Sequence, residues 1–196
     1  MDLNPLAFPF AIDVPLREKR TYVQSASLFD FLVAKTGVNR NISLSFRRKI
    51  ECHVEAVPAD SCVSENCPAR FSGEGQHAHF DLAIVEKAPL QRLERHEPYD
   101  EPAAVASSRI EGTSISSESG NGASAIDRIV ALNKRLILQT TAPKKVLIFS
   151  KIFLSTLPSN GAPLTVTLKS RLGLTLFRST VSADGCEVGE IVFYGT

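Results

Sequence analysis

Charge of one sign is missing from this chain. Its 196 residues carry 22 Lys+Arg against 21 Asp+Glu, a formal net charge of +1. The basic footprint of a phosphate-backbone binder is therefore absent, and nucleic acid is not an expected partner. Long apolar runs are missing as well. No run reaches the ~18 uncharged apolar residues of a membrane-spanning helix, so none is expected. The start, Met1 to Arg20, has no basic segment leading into an apolar one, so no secretory leader is expected. Cysteine is limited to 4 positions, too ordinary a usage for a secreted disulfide scaffold. No Gly-rich phosphate-cradling loop and no Ser–His–Asp arrangement can be picked out. The expectation is a cytoplasmic protein without metal or cofactor. What is present is a 43% hydrophobic content, enough for a core and too much for wholesale disorder.

Residues 1–20 are punctuated by Pro5, Pro9 and Pro15 and read as an arm or an edge strand. A helix is expected from Ser27, its N-cap, with Leu28, Phe31 and Leu32 on one face and Gly37 as its stop. Strict alternation in Ile42-Ser-Leu-Ser-Phe46 marks a half-buried strand, and Lys49–Val57 its continuation or a second strand. Two more strands are expected at Ala69–Glu74 and His77–Val85. Residues 89–96 could hold a helical turn. Apolar residues then thin out, Pro98 and Pro102 appear, and a Ser-rich run follows from Ser107 to Ser119. Residues 97–122 accordingly read as a flexible linker between an N-terminal unit, 1–96, and a C-terminal unit, 123–196. In the latter, Ser124 caps a helix to Ile137 whose stripe is Ile126, Ile129, Val130 and Leu136, with Arg128, Lys134 and Arg135 pointing elsewhere. Strands at 145–157, 164–171, 174–183 and 187–194 read as an antiparallel meander, with Asp184-Gly185 as a hairpin signal.

The two halves share a short repeat. Residues 25–34 and 122–131, offset by 97, coincide without a gap at Ala26/Ala123, Ser27/Ser124, Asp30/Asp127, Val33/Val130 and Ala34/Ala131. One apolar helix followed by antiparallel strands, twice over, resembles the hotdog fold of acyl-thioester dehydratases and thioesterases. The segment Phe149…Leu157-Pro158…Gly161…Leu164-Thr-Val-Thr-Leu168 is similar to that family's strand–turn–strand after the helix. The fold class implied is α+β, two tandem hotdog-like units, each a central helix wrapped by an antiparallel sheet. An acyl-CoA or acyl-carrier-protein ligand is implied with it, and a homodimer is left open. The dehydratase pattern His-x-x-x-Gly-x-x-x-x-Pro is absent, since Val57, Asp81, Ala83 and Asp100 follow the four histidines at that spacing. A hotdog that only binds an acyl chain or a partner is therefore an alternative to an enzyme.

A second resemblance is to chorismate lyase and its ligand-binding relatives. It is carried by Leu28-Phe-Asp-Phe-Leu32, Arg135-Leu-Ile-Leu138, Ser155-Thr-Leu-Pro158, Leu172-Gly-Leu-Thr-Leu-Phe177 and Glu187-Val-Gly189. It implies that Arg135, with Glu190 as the late glutamate, would hold substrate carboxylates.

The candidate catalytic residues are Asp127 and Asp30, carboxylates on the repeated helices, with His53 named beside them. Either aspartate could equally serve the first turn of its helix. Six thiol and imidazole side chains fall between Cys52 and His79: Cys52, His53, Cys62, Cys67, His77 and His79. Their spacing is not that of a zinc site, and no metal is expected. Arg47-Arg48-Lys49 and Lys144-Lys145 could meet the phosphates of CoA or an acidic carrier, or be solvated strand ends.

Overall fold

A computed structural model describes residues 6–18, 20–63, 67–118, 122–141 and 146–195. The chain divides into two compact units, one of residues up to 39 together with 43–98, the other of 40–42 together with 99 onward. Among the described residues, no helix is long and apolar enough to cross a membrane.

The first unit holds β1 (Phe10–Ile12), β2 (Leu16–Arg17), α1 (Ser25–Thr36), all but the first three residues of β3 (Arg40–Phe46), β4 (Val54–Pro58), β5 (Ala69–Glu74), β6 (His79–Glu86) and β7 (His96–Glu97). Its sheet runs β1-β4-β6-β5-β3. The Pro-punctuated start becomes an edge strand, Phe10 pairing opposite Ala56 and Ile12 opposite Val54. Phe10, Ile12, Val14 and Leu16 are all buried, the period of two that a one-sided strand requires. α1 buries Leu28, Phe29 and Leu32, and Phe29 meets Phe71 of β5 edge to face with ring centroids 6.2 Å apart. Gly37 stops the helix as expected: at φ 70° it takes the left-handed turn and donates its N–H to the Val33 carbonyl. Ser27 does not cap the helix. The helix begins at Ser25, after Gln24, and the Ser27 hydroxyl is buried without a hydrogen-bond partner. The helical turn expected near 89–96 is also absent. That stretch lies along residues 51–53, with the His53 N–H donating to the Gln91 carbonyl and the Leu93 N–H to that of Glu51.

The second unit continues with α2 (Glu101–Ala104), β8 (Arg109–Glu111), β9 (Ser114–Ser117), α3 (Ala125–Thr141), β10 (Leu147–Thr156), β11 (Leu164–Leu172), β12 (Leu176–Ala183) and β13 (Cys186–Gly195). The sheet order is β10-β13-β12-β11-β9-β8. Two expectations change here. Most of the expected linker is structured: β9 pairs antiparallel with β11, Val166 facing Ile115, and Ile115 is fully buried. Four residues with one buried isoleucine are too few to show a periodicity, but a ladder to β11 satisfies their backbone. Nor is the strand set a pure meander. β11, β12 and β13 follow one another, whereas β10 pairs with β13, so residues 157–163 carry the chain across the sheet. α3 packs on β9, β11 and β12 and buries Arg128 together with its apolar stripe, contrary to the outward position expected for that residue.

Neighbouring strands are antiparallel along β1-β4-β6-β5 and along β10-β13-β12-β11-β9-β8, yet the chain threads them differently. In the first unit β4 and β5 both pair with β6, antiparallel to it. They therefore run parallel to each other, and a hairpin cannot join them. The connection, residues 59–68, must cross β6. Each unit thus has a helix followed by four sheet strands, in a different central order.

Candidate functional site

Asp127 occupies the first turn of α3. Ser124 sets that turn, its Oγ accepting from the Asp127 N–H at 3.1 Å, which is N-capping in the sense expected. The Asn160 side chain accepts the next free helix N–H, that of Ala125, at 3.0 Å. The Asp127 side chain is buried, at 7% exposure. A helix N-terminus favours negative charge nearby, and the Asp127 carboxyl group sits within that first turn.

Asp30 is placed differently. α1 has no acidic residue in its first turn, and Asp30, sixth in that helix, is half-buried. Aligned by the repeat, the two helices begin three residues apart, at Ser25 and Ala125, and only the second uses its matched serine as a cap. His53 lies elsewhere in the first unit. With Asp13, Lys87, Gln91, Ile12 and Val54 it lines a cavity of about 450 Å³. Neither Asp30 nor Asp127 lines that cavity. Asp13 there is engaged by Arg95 at 3.0 Å.

The residues that the second resemblance assigns to carboxylate binding are committed to other contacts. Arg135 donates to the Val105 carbonyl at 2.6 Å and the Ser108 hydroxyl at 3.0 Å, while Glu190 pairs with Arg178 at 3.4 Å. Arg48 forms a two-bond pair with Glu86, holding that carboxyl below its usual range, and Lys49 stacks over the Tyr22 ring, 4.9 Å from its centroid. Lys144 and Lys145 lie outside the described residues. Among the described residues, no three His, Cys, Asp or Glu side chains are gathered as metal ligands would be, and His77 and His79 are exposed.

Two groups on α3 escaped the sequence reading. Arg128 is fully buried. It donates to the carbonyls of Asn160 at 3.0 Å, Ala162 at 2.8 Å and Ser117 at 3.1 Å. Among the described residues no carboxylate stands against it, and burial lowers its pKa. Asn133 is also fully buried, with neither its amide oxygen nor its amide nitrogen hydrogen-bonded. A signal for Asn133 was present, since it sits in the i, i+4 row between Ile129 and Ile137. It lies about 9 Å along the axis from Asp127, at 1.5 Å per residue.

No family model and no curated protein matches the chain. Solved structures do. The tesB protein of Mycobacterium avium subsp. paratuberculosis superposes with a TM-score of 0.52 at 9% identity, covering 93% of this chain and 91% of its own. The pyran synthase domain from module nine of the sorangicin pathway gives 0.50 at 8% identity, with 90% and 87% covered. The dehydratase domain from the CurH module of the curacin polyketide synthase gives 0.46 at 12%, with 89% and 83% covered. At such identities it is the fold that is shared, and the fold is the α+β hotdog type.

Proposed function

We propose that this chain is a tandem double hotdog that binds and hydrolyses an acyl thioester, carried on CoA or on an acyl-carrier protein, with Asp127 as the acting carboxylate. The observation that carries the reading is the buried Asp127 in the capped first turn of α3, on the helix that packs against β9, β11 and β12. An ionised carboxylate there serves as general base. It takes a proton from water as the oxygen attacks the thioester carbonyl, and the proton passes to the departing thiolate, giving acid and thiol. Hydrolysis is favoured over dehydration because dehydration needs a base and an acid on the same substrate, and the histidine pattern of the dehydratases is missing from the sequence. The tandem reading is supported by the edge strand, helix and four strands of each unit. Asp30, on the matching helix, and His53, at the first unit's cavity, are the further candidates. Asn133 offers an unused donor and acceptor on the buried side of α3. A second reading, a hotdog that binds without turnover, is favoured by that same missing pattern.

Asp127→Asn keeps shape and removes the titrating group. On a panel of acyl-CoA and 3-hydroxyacyl-CoA substrates, hydrolysis should fall on the order of 10²–10⁴-fold with acyl binding little changed. Wild-type protein that binds acyl-CoA and turns over none supports the binding reading. Turnover untouched by the substitution removes Asp127 from the mechanism.

A further inference from the structure

The connection that distinguishes the first unit's threading, residues 59–68, carries two thiols side by side. Cys62 donates to the Val63 carbonyl oxygen at 3.4 Å and Cys67 to the same oxygen at 3.6 Å. Both sulfurs thus gather on one carbonyl oxygen. Cys62 is half-buried, while Cys67 is 1% exposed. The other two cysteines are on other elements: Cys52 pairs through its backbone with Arg92, and Cys186 is exposed on β13.

We propose that Cys62 and Cys67 form a reversible intramolecular disulfide that closes the β4–β5 crossing, by exchange with a low-molecular-weight disulfide such as oxidised glutathione. Cys62, the accessible thiol, loses its proton and attacks one glutathione sulfur. A mixed disulfide forms and one glutathione thiolate leaves. Cys67 then loses its proton and attacks the Cys62 sulfur, releasing the second glutathione thiolate. Two electrons pass from the protein thiols to the glutathione disulfide, and the two protons end on the two released thiols. The order follows from access, since an external disulfide can reach the half-buried sulfur and not the buried one.

The second step has a pH signature. In the dithiol, burial and the neighbouring Cys62 raise the Cys67 thiol to about 11, against the opposing charges of Arg70 and Arg47, the charged groups that face it, and burial keeps it raised once Cys62 is in the mixed disulfide. Below that value the thiolate fraction grows about tenfold per pH unit. Ring closure from the mixed disulfide should quicken about a hundredfold between pH 7 and pH 9.

Wild-type protein is incubated with excess oxidised glutathione, acid-quenched, digested with trypsin and sequenced by mass spectrometry. The expected product is peptide Ile50–Arg70 short of two hydrogens, with no backbone fragments between Cys62 and Cys67, reversed by dithiothreitol. Cys67→Ala should instead trap glutathione on Cys62, and Cys62→Ser should leave Cys67 reduced. Circular dichroism of both variants checks that they fold. Three outcomes overturn the proposal: glutathione persisting on wild-type Cys62, a bridge through Cys52, or oxidation only as a Cys186-linked dimer.

Discussion

Arg128→Met tests whether a buried cation holds the second unit together. Methionine keeps most of the aliphatic stem and removes the guanidinium. Three carbonyls, those of Asn160, Ala162 and Ser117, then lose their donors. Hydrogen bonds from a charged group contribute about 1.5–3 kcal/mol each, so about 4–9 kcal/mol is at stake. Against this stands the cost of keeping a cation dry, several kcal/mol for a fully buried ion. That cost is visible in the lowered Arg128 pKa, for which burial is the sole cause. The Asn160 carbonyl is only part-buried and can recruit water, whereas the other two are enclosed. The balance is a loss of about 2–4 kcal/mol, read as a shift in the urea midpoint at constant slope. In a melt the shift should be about 2–4 °C per kcal/mol for a chain of this size. Arg128→Lys should recover only part, since one ammonium cannot reach all three oxygens. A methionine variant as stable as wild type would refute the reasoning, because desolvation would then equal or outweigh the bonds.

Further outcomes are expected elsewhere. Gly189→Ala should destabilise by more than about 3 kcal/mol or abolish soluble expression. A Cβ there would run into the Phe153 carbonyl oxygen across the β10–β13 ladder, so a wild-type urea midpoint would count against this backbone approach. Hydrogen exchange should find β9 amides protected through the β11 pairing, and exchange as fast as in an unstructured peptide would contradict it. Glu86, lowered by Arg48, adds stability that is complete above its unfolded value of about 4.3 and lost as pH falls through its folded value. Glu86→Gln should remove that contribution at neutral pH, costing under about 1 kcal/mol because the pair is part-exposed. Its stability gap to wild type should narrow as pH falls through the folded value and close below it. A gap independent of pH would refute the pairing's role.

The aspartates show how far local pattern reaches. The repeat marked Asp30 and Asp127 as equals, and the helices then began three residues apart, leaving one in a capped first turn and the other mid-helix. Helix starts depend on which orphan N–H finds an acceptor, and at Ala125 that acceptor is Asn160, far along the chain. The Asp127 half of the candidate site was thus legible in Ser124-Ala-Ile-Asp127. His53 shows the opposite: nothing local could tell that it would line a cavity with Asp13 and Lys87.

The sequence by itself determined the α+β class, the Gly37 stop, the Ser124 cap and the strands with clean alternation. Each of these rests on interactions within a few residues or on a period of two. Only the tertiary structure decided that β10 joins β13, that β4 lies beside β6, that residues 109–117 form a hairpin, and that Arg128 turns inward. Strand partners are chosen by long-range ladders that leave no mark at fixed spacing. A guanidinium is buried only where distant carbonyls converge on it, and that convergence exists nowhere but in the folded chain.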